Sequence, residues 1–432
     1  MRSPPDSESP DNVDQNRRQL LTTALGSVAL AGPSILLAKQ ARAQAAGGIS
    51  PLVPEAMLSQ GRPILSPPYG APSNFEKNVV RRPTDLTPTA TSSWSFTPLQ
   101  DLYGTITPNG LFFERHHGGV PTIAPESHRL LIHGLVERPL VFTMSDLLRF
   151  PAVTRTYFLE CSGNSLTEFT KPADNVQTSH GLLSCVEWTG VPLSTLLQET
   201  GVKPEGRWVL AEGADAAAMT RSHPIEKALD DALIAYAQNG ERLRPEQGYP
   251  IRLLLPGYEG NMSVKWLRRI KIGTAPFMTR EETSKYTDLL PDGRARQFTY
   301  TMQAKSVITS PAAGVMIQGG PGLLQISGLA WSGAGKIKRV DISVDGGRSW
   351  HTARLEEPVL SKSLVRFSLP WRWNGGPAII ASRAMDETGY VQPTREALLA
   401  ERGENYVYHY NAIAAWKIAQ DGKVTNAYAA GA

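Results

Sequence analysis

The sequence predicts an α+β protein of two successive domains: a mixed α/β domain over residues 101–300, then an immunoglobulin-like β-sandwich over 301–425. Three observations carry that expectation. Between Leu130 and Leu255, apolar runs of strand length alternate with short helical segments, each bounded by turn residues. Beyond Pro311 the texture changes to short strands of alternating apolar and polar residues, with almost no helical period. The 432 residues suffice for two to three domains, and 41% apolar with 19% charged residues is ordinary for a folded chain.

The chain opens on a segment that reads as a targeting signal. Arg17-Arg18 precedes Leu20-Leu21 and a soft apolar run to Ala38, interrupted by Gly26, Gly32 and Pro33 and closed by Ala41-Arg42-Ala43. The paired arginines resemble a twin-arginine signal, with Asn16 and Leu20 where Ser or Thr and Phe are usual. Residues 1–43 are therefore expected to be cleaved after Ala43, leaving a periplasmic chain with no membrane span. Residues 44–100 are expected to form an extended arm, because nine prolines between Ile49 and Pro98 forbid long helices and central strands.

Leu130–Val136 then reads as a buried strand. Thr143, with Asp146 three residues on, caps a short helix that must end before Pro151. Val153–Leu159 is a strand delivering Cys161 into a turn, and Leu193–Gln198 is a helix stopped by Gly201. Leu233–Gln238 meets Asn239-Gly240, a hairpin signal, and Ile251–Leu255, apolar apart from Arg252, is a strand followed by the loop Pro256–Gly260. In the second domain Val340, Ile342 and Val344, then Val365, Phe367 and Leu369, alternate with polar residues. Asp345-Gly346-Gly347 turns the chain between them, Ala378–Ala381 adds an apolar run, and residues 426–432 form a tail.

Composition excludes several classes. Two cysteines, Cys161 and Cys185, cannot build a disulfide framework, a Cys-rich zinc module or a cysteine-ligated iron–sulfur cluster. No Cys-x-x-Cys-His run is present, so no c-type haem is expected on this chain. A net charge of +4 over this length gives no reason to expect nucleic acid as a partner. His128, His133, His180, His223 and His351 show no metal-ligand spacing.

Cys161 needs explaining. It sits in Phe158-Leu159-Glu160-Cys161-Ser162-Gly163-Asn164, where a strand gives way to flexible residues. Such an elbow can present a thiolate to a substrate or a metal. Taken alone, the cysteine reads more simply as a small core residue or as half of a disulfide with Cys185. Its surroundings reverse that preference. Leu111-Phe112-Phe113-Glu114-Arg115-His116-His117, Glu160-Cys161-Ser162-Gly163-Asn164, Gly248-Tyr249-Pro250-Ile251-Arg252 and Gly260-Asn261-Met262-Ser263-Val264-Lys265-Trp266 follow one another in this order. Together they resemble the sulfite oxidase family of molybdenum enzymes. Val340-Asp341-Ile342-Ser343-Val344-Asp345-Gly346-Gly347 looks like that family's C-terminal dimerisation domain, so the resemblance covers nearly the whole mature chain. Glu281-Glu282-Thr283-Ser284-Lys285-Tyr286 and Tyr408-His409-Tyr410-Asn411 look closest to its sulfane dehydrogenase branch, which serves thiosulfate oxidation.

The resemblance implies a molybdenum-molybdopterin cofactor with Cys161 as the single protein ligand to the metal. Arg115 would steady negative charge beside the metal, His117 would sit near the pterin, and Tyr286 would offer its hydroxyl to the substrate. Arg252, Lys265, Gly260 and Ser263 would hold the pterin phosphate, with Asp215 an acidic pterin contact. The implied reaction is oxygen-atom transfer to sulfur. With no haem here, electrons would leave through a c-type cytochrome subunit, and a homodimer through the second domain is implied.

The chain departs from animal and plant sulfite oxidases at two expected cations, which are Leu166 and Ile413 here. Losing positive charge weakens binding of a small dianion and suits a bulkier sulfane sulfur on a carrier protein. Sulfite dehydrogenase is the alternative, and a non-enzymatic periplasmic binding or scaffold protein is a third reading. Cys185 is expected to be a plain core thiol, unpaired with Cys161.

Overall fold

Residues 57, 58, 60, 72–86, 89–169, 172–403 and 408–428 are described in the computed structural model of the chain. The paired arginines, Ala43 and nearly half of the expected arm lie outside them. Met1–Ala71 and Pro72–Ala432 are separate units, and the elements below belong to the second. No helix among the described residues is long and apolar enough to cross a membrane.

Two five-stranded sheets build the first half. In one the order is Leu140–Phe142, Leu130–Gly134, Leu267–Gly273, Trp208–Gly213, Thr220–Pro224, and only Leu130–Gly134 with Leu267–Gly273 runs parallel. The other runs Glu241–Arg242, Leu233–Gln238, Leu183–Pro192, Val153–Glu160, with Arg252–Leu254 also paired to Leu233–Gln238. Leu130, Ile132, Val191, Val209, Ile234, Leu253 and Ile270 close a common core. The helix Leu193–Thr200 adds Leu193, Leu196 and Leu197, whose three- and four-residue spacing puts them on one buried face. It stops at Gly201, whose φ of +68° suits a residue without a Cβ. The expected cap at Thr143 forms with both reciprocal hydrogen bonds to Asp146.

The second half is a sandwich of antiparallel sheets. One contains Lys305–Ser310, Gly322–Trp331, Val365–Trp373 and Arg354–Leu355; the other contains His351–Thr352, Ile337–Ser343, Ala378–Asp386, Ala415–Ile418 and Val424–Asn426. Val307, Ile326, Trp331, Val340, Ile342, Phe367, Ile380 and Trp416 fill the space between them. That cluster continues into Phe158, Leu183 and Cys185 of the first half, so the sandwich packs on the strand that leads to Cys161.

Two segments differ from expectation. In the proline-rich region, Trp94–Phe96 is the middle strand of a small sheet, between Arg82–Pro83 and Glu114–Arg115. Pro83 is accommodated because it lies on an edge strand, where its missing N–H costs no ladder bond. The helix Arg395–Arg402 also escapes the apolar pattern, since Leu398 and Arg402 alone are buried; its stop and start come from Gly403 and from Thr394, whose hydroxyl accepts the Ala397 N–H.

Candidate active site

Strand Val153–Glu160 buries Phe158, Leu159 and Glu160 and releases the chain at Cys161. The Cys161 N–H still bonds Leu182 O at 2.9 Å, and Asn164 N–H closes the turn on Cys161 O at 2.9 Å. The Asn164 side-chain oxygen accepts the Leu182 N–H at 3.1 Å, tying the turn to the neighbouring strand. Gly260 completes the elbow: a Cβ there would lie 2.7 Å from Glu160 O and 3.4 Å from Cys161 Cα. Both cysteines are free thiols, with Cys185 fully buried beside Ser363 Oγ at 3.3 Å. Desolvation pushes the Cys161 thiol up, while the Gly163 N–H and the Arg115 cation pull the other way.

Cys161 lines two connected spaces. One is a cavity of about 720 Å³ that also meets Trp94, Leu166, Arg280, Lys285, Tyr286 and Tyr408. The other is a narrow slot of about 70 Å³ walled by Arg252, Gly260, Asn261, Ser263 and Lys265. Arg115, His117 and Tyr286 belong to both.

The slot is built around cations that have no carboxylate partner among the described residues. Arg252, 2% exposed, donates to Gln247 O at 3.1 Å and Ser263 O at 2.8 Å and lies over Trp188, its carbon 5.2 Å from the ring centre. Burial alone pushes its guanidinium down to about 9. Lys265 reaches Arg115 O, Glu246 O and His116 Nδ1, each at 3.0 Å; desolvation and then Arg252 hold it well below the usual lysine range. Ser263 Oγ accepts the Leu255 N–H at 3.0 Å. Arg115 lies over Trp94 at 5.3 Å and donates to Ser93 O and His116 O.

On the cavity side, Tyr286 Oη lies 3.3 Å from His117 Nε2. Burial, then the Cys161 charge, pushes the phenol up, so it remains a donor at neutral pH. Desolvation at the cavity wall and the adjacent Arg115 push His117 down to about 4. Arg221 stacks on Tyr286 at 5.0 Å and donates to Glu281 O at 2.5 Å. Tyr286, Trp266 and His409 all hold positive φ (54°, 51° and 58°), and such backbone strain tends to gather at functional sites.

Every site residue expected from the sequence except Asp215 lines one of these spaces; Asp215 lies in the adjacent turn, and its charge is felt at Lys265. The donor set fits a molybdopterin. Among the described residues, Arg252 Nε, Asn261 Oδ1 and Asp215 Oδ1 are buried polar atoms without a protein partner: a phosphate oxygen would accept from Arg252 Nε, and the N–H groups of a pterin would donate to the two side-chain oxygens. The unpaired Cys161 thiol supplies a soft metal donor. No cluster of three metal-ligating side chains competes with it among the described residues.

Sequence reasoning missed Trp94, Arg221, Arg280 and Asn261. Arg221 sits in Thr220–Pro224, a strand with no motif around it, and Trp94 lies in the segment read as arm. Of the two positions where a cation is missing, Leu166 lines the cavity, whereas Ile413 packs with Ala381 and Ala415; Lys285 also lines the cavity, as do Arg280 and Glu281, which pair with each other.

The oxidoreductase molybdopterin binding domain matches residues 117–281, and the Mo-co oxidoreductase dimerisation domain matches 296–415. The crystal structure of the sulfane dehydrogenase SoxCD from Paracoccus pantotrophus is similar with a TM-score of 0.86 at 52% identity, covering 89% of this chain and 100% of that chain. Sulfite oxidase from Gallus gallus is 35% identical over 271 residues, 58% of this chain and 59% of that protein. An NADH nitrate reductase from Ulva prolifera is 32% identical over 303 residues, 62% of this chain and 34% of that protein. This chain thus spans less than two thirds of the length of these two curated relatives.

Proposed function

Since this chain belongs to the sulfite oxidase family of molybdenum enzymes, we propose that it oxidises sulfane sulfur held on a carrier protein and passes the electrons to a c-type cytochrome subunit in the periplasm. The molybdenum cofactor, when bound, supplies oxygen-atom transfer to sulfur and takes up the electrons released. The protein's own residues do the rest. Cys161 holds the metal; Arg252, Lys265, Gly260 and Ser263 hold the pterin phosphate, with Asp215 beside them. Arg115 and the Tyr286 hydroxyl face the reacting end, where a fixed cation and a neutral donor favour charge that develops during the reaction. His117, neutral above about pH 4, would with its proton on Nε2 donate to the Tyr286 oxygen, which orients the phenol and leaves its own proton for the reacting end.

The observation that carries the carrier-bound reading is the shape and wall of the cavity. Of its 720 Å³ or so the cofactor at Cys161 would take a part, and Leu166, exposed in the remaining wall, offers an apolar face to a bulky sulfur-bearing group. Similarity to a sulfane dehydrogenase over 89% of the chain supports the same reading. Lys285 in that wall, beside Arg280 and its partner Glu281, favours a second one, free sulfite as substrate. Export rests on Arg17-Arg18, the cytochrome on the absence of a haem motif in this chain, and dimerisation on the 296–415 match.

The test is metal and pterin analysis of the natively exported protein, with paired turnover assays on sulfite and on carrier-bound sulfane. Turnover of the carrier-bound sulfur with little sulfite activity is expected; saturable sulfite turnover at or below ~1 mM would move the assignment to sulfite dehydrogenase. Cys161→Ser is expected to abolish activity, and a variant that kept both metal and activity would remove Cys161 as ligand.

A further inference from the structure

The turn bearing Cys161 is held from behind by the second domain. Glu160, the preceding residue, exposes no surface. Its Oε1 accepts from Lys305 Nζ at 2.9 Å and from Asn164 Nδ2 at 2.9 Å, and its Oε2 accepts from Trp331 Nε1 at 2.6 Å. Lys305, also without exposed surface, donates in addition to Ser165 Oγ at 3.0 Å. On the far side of the cysteine, the His409 N–H bonds Ser162 O at 2.7 Å. Residues 160, 162 and 165 of one turn are therefore each fastened to sandwich strands or to the segment that follows them.

Stability does not require this arrangement. Two charges taken fully out of water lose more hydration than their attraction returns unless the geometry is very good, and well-packed apolar pairs commonly replace them without loss. Apolar neighbours abound here: Val307, Ile308 and Leu329 lie in the same cluster. What the pair does supply is direction, because a carboxylate with three fixed donors cannot rotate. We propose that Lys305 is a positioning residue for the metal site: acting through Glu160, it fixes the direction in which Cys161 presents its sulfur, which makes the second domain part of the active site as well as an assembly module. This rests on Cys161 being the molybdenum ligand.

The experiment compares holoenzymes of the wild type, Lys305→Met, Glu160→Gln, the double variant and Trp331→Phe. Metal content, melting temperature, turnover and the Mo(V) paramagnetic resonance spectrum are recorded, with the alkylation rate of Cys161 in cofactor-free chain. The single variants are expected to melt lower. The double variant regains melting temperature, since no unpaired charge remains buried, yet keeps a shifted spectrum, an altered alkylation rate and turnover reduced by roughly 100-fold. Trp331→Phe, which deletes one donor, shifts the spectrum in the same direction by less. A double variant with wild-type spectrum and turnover would overturn the proposal and leave the pair as charge balance only; so would an unshifted Trp331→Phe spectrum. Wild-type protein without molybdenum would instead overturn the ligand reading itself, and the Lys305 role with it.

Discussion

Tyr286 Oη stands 3.3 Å from His117 Nε2, while Arg221 and Tyr408 each approach the tyrosine ring at 5.0 Å. The phenol is thus aimed by one partner and pinned by two others. Removing the hydroxyl alone, in Tyr286→Phe, leaves the ring contacts intact. We expect turnover to fall by roughly 10²-fold, the usual loss for one fixed donor, with metal content and melting temperature unchanged. Steady-state kinetics beside metal analysis checks this, and an unaffected turnover number would take Tyr286 out of the chemistry.

Arg252 separates folding from cofactor binding. A buried guanidinium with no carboxylate partner among the described residues costs free energy in the protein alone, a cost that the proposed pterin phosphate would offset. In Arg252→Met that cost goes, while Gln247 O and Ser263 O each lose a donor, about 1–3 kcal/mol per group if left unsatisfied. These opposing effects should leave the cofactor-free chain within a few degrees of wild type. Pterin retained through gel filtration should fall sharply. A variant that melts far lower yet keeps its pterin would reverse the assignment.

Gly260 tolerates no side chain. Gly260→Ala drives a Cβ against the backbone of Glu160, which must shift and carry Cys161 with it. A loss of about 1–3 kcal/mol in urea unfolding is expected, together with reduced molybdenum content. Full metal occupancy in a stable alanine variant would show that the elbow is softer than its geometry indicates.

Acid should expose His223. It is fully buried, and desolvation pushes it down to about 4 from an unfolded value near 6.5. The unfolded chain therefore binds this proton first as pH falls, so the stability tied to the neutral ring is present above about 6.5 and drains away between there and about 4. The total is on the order of 3 kcal/mol. Urea midpoints measured at several pH values should slope less steeply for His223→Gln than for wild type. Parallel slopes would mean that the ring is protonated in the folded state.

Much of this was legible in the residues. The strand entering Cys161, the Thr143 cap, the Asn239-Gly240 hairpin and the alternation around Val365 and Phe367 are local signals, each fixed by its neighbours in sequence. The residues expected to hold metal and pterin, which the fold brings around the two spaces, were legible because they cluster in short motifs. Arg221, Trp94 and Asn261 were not, because their importance comes from tertiary placement: nothing near Arg221 announces that its strand runs beneath Tyr286. The Glu160–Lys305 pair was hidden for the same reason: Glu160 stands out only as the start of the Cys161 motif, and Lys305 has no motif around it.

The bond from His409 N–H to Ser162 O has a consequence for the order of biosynthesis. A ribosome that has released residue 300 has already made Cys161, Arg252 and Lys265, yet the turn holding the cysteine still lacks its fastening, and Tyr408 has not reached the cavity wall. The pocket is therefore finished only after the sandwich has been synthesised and docked. A product truncated before His409 would keep Cys161, Arg252 and Lys265 yet lack the bond that ties the cysteine's turn to the segment after the sandwich strands.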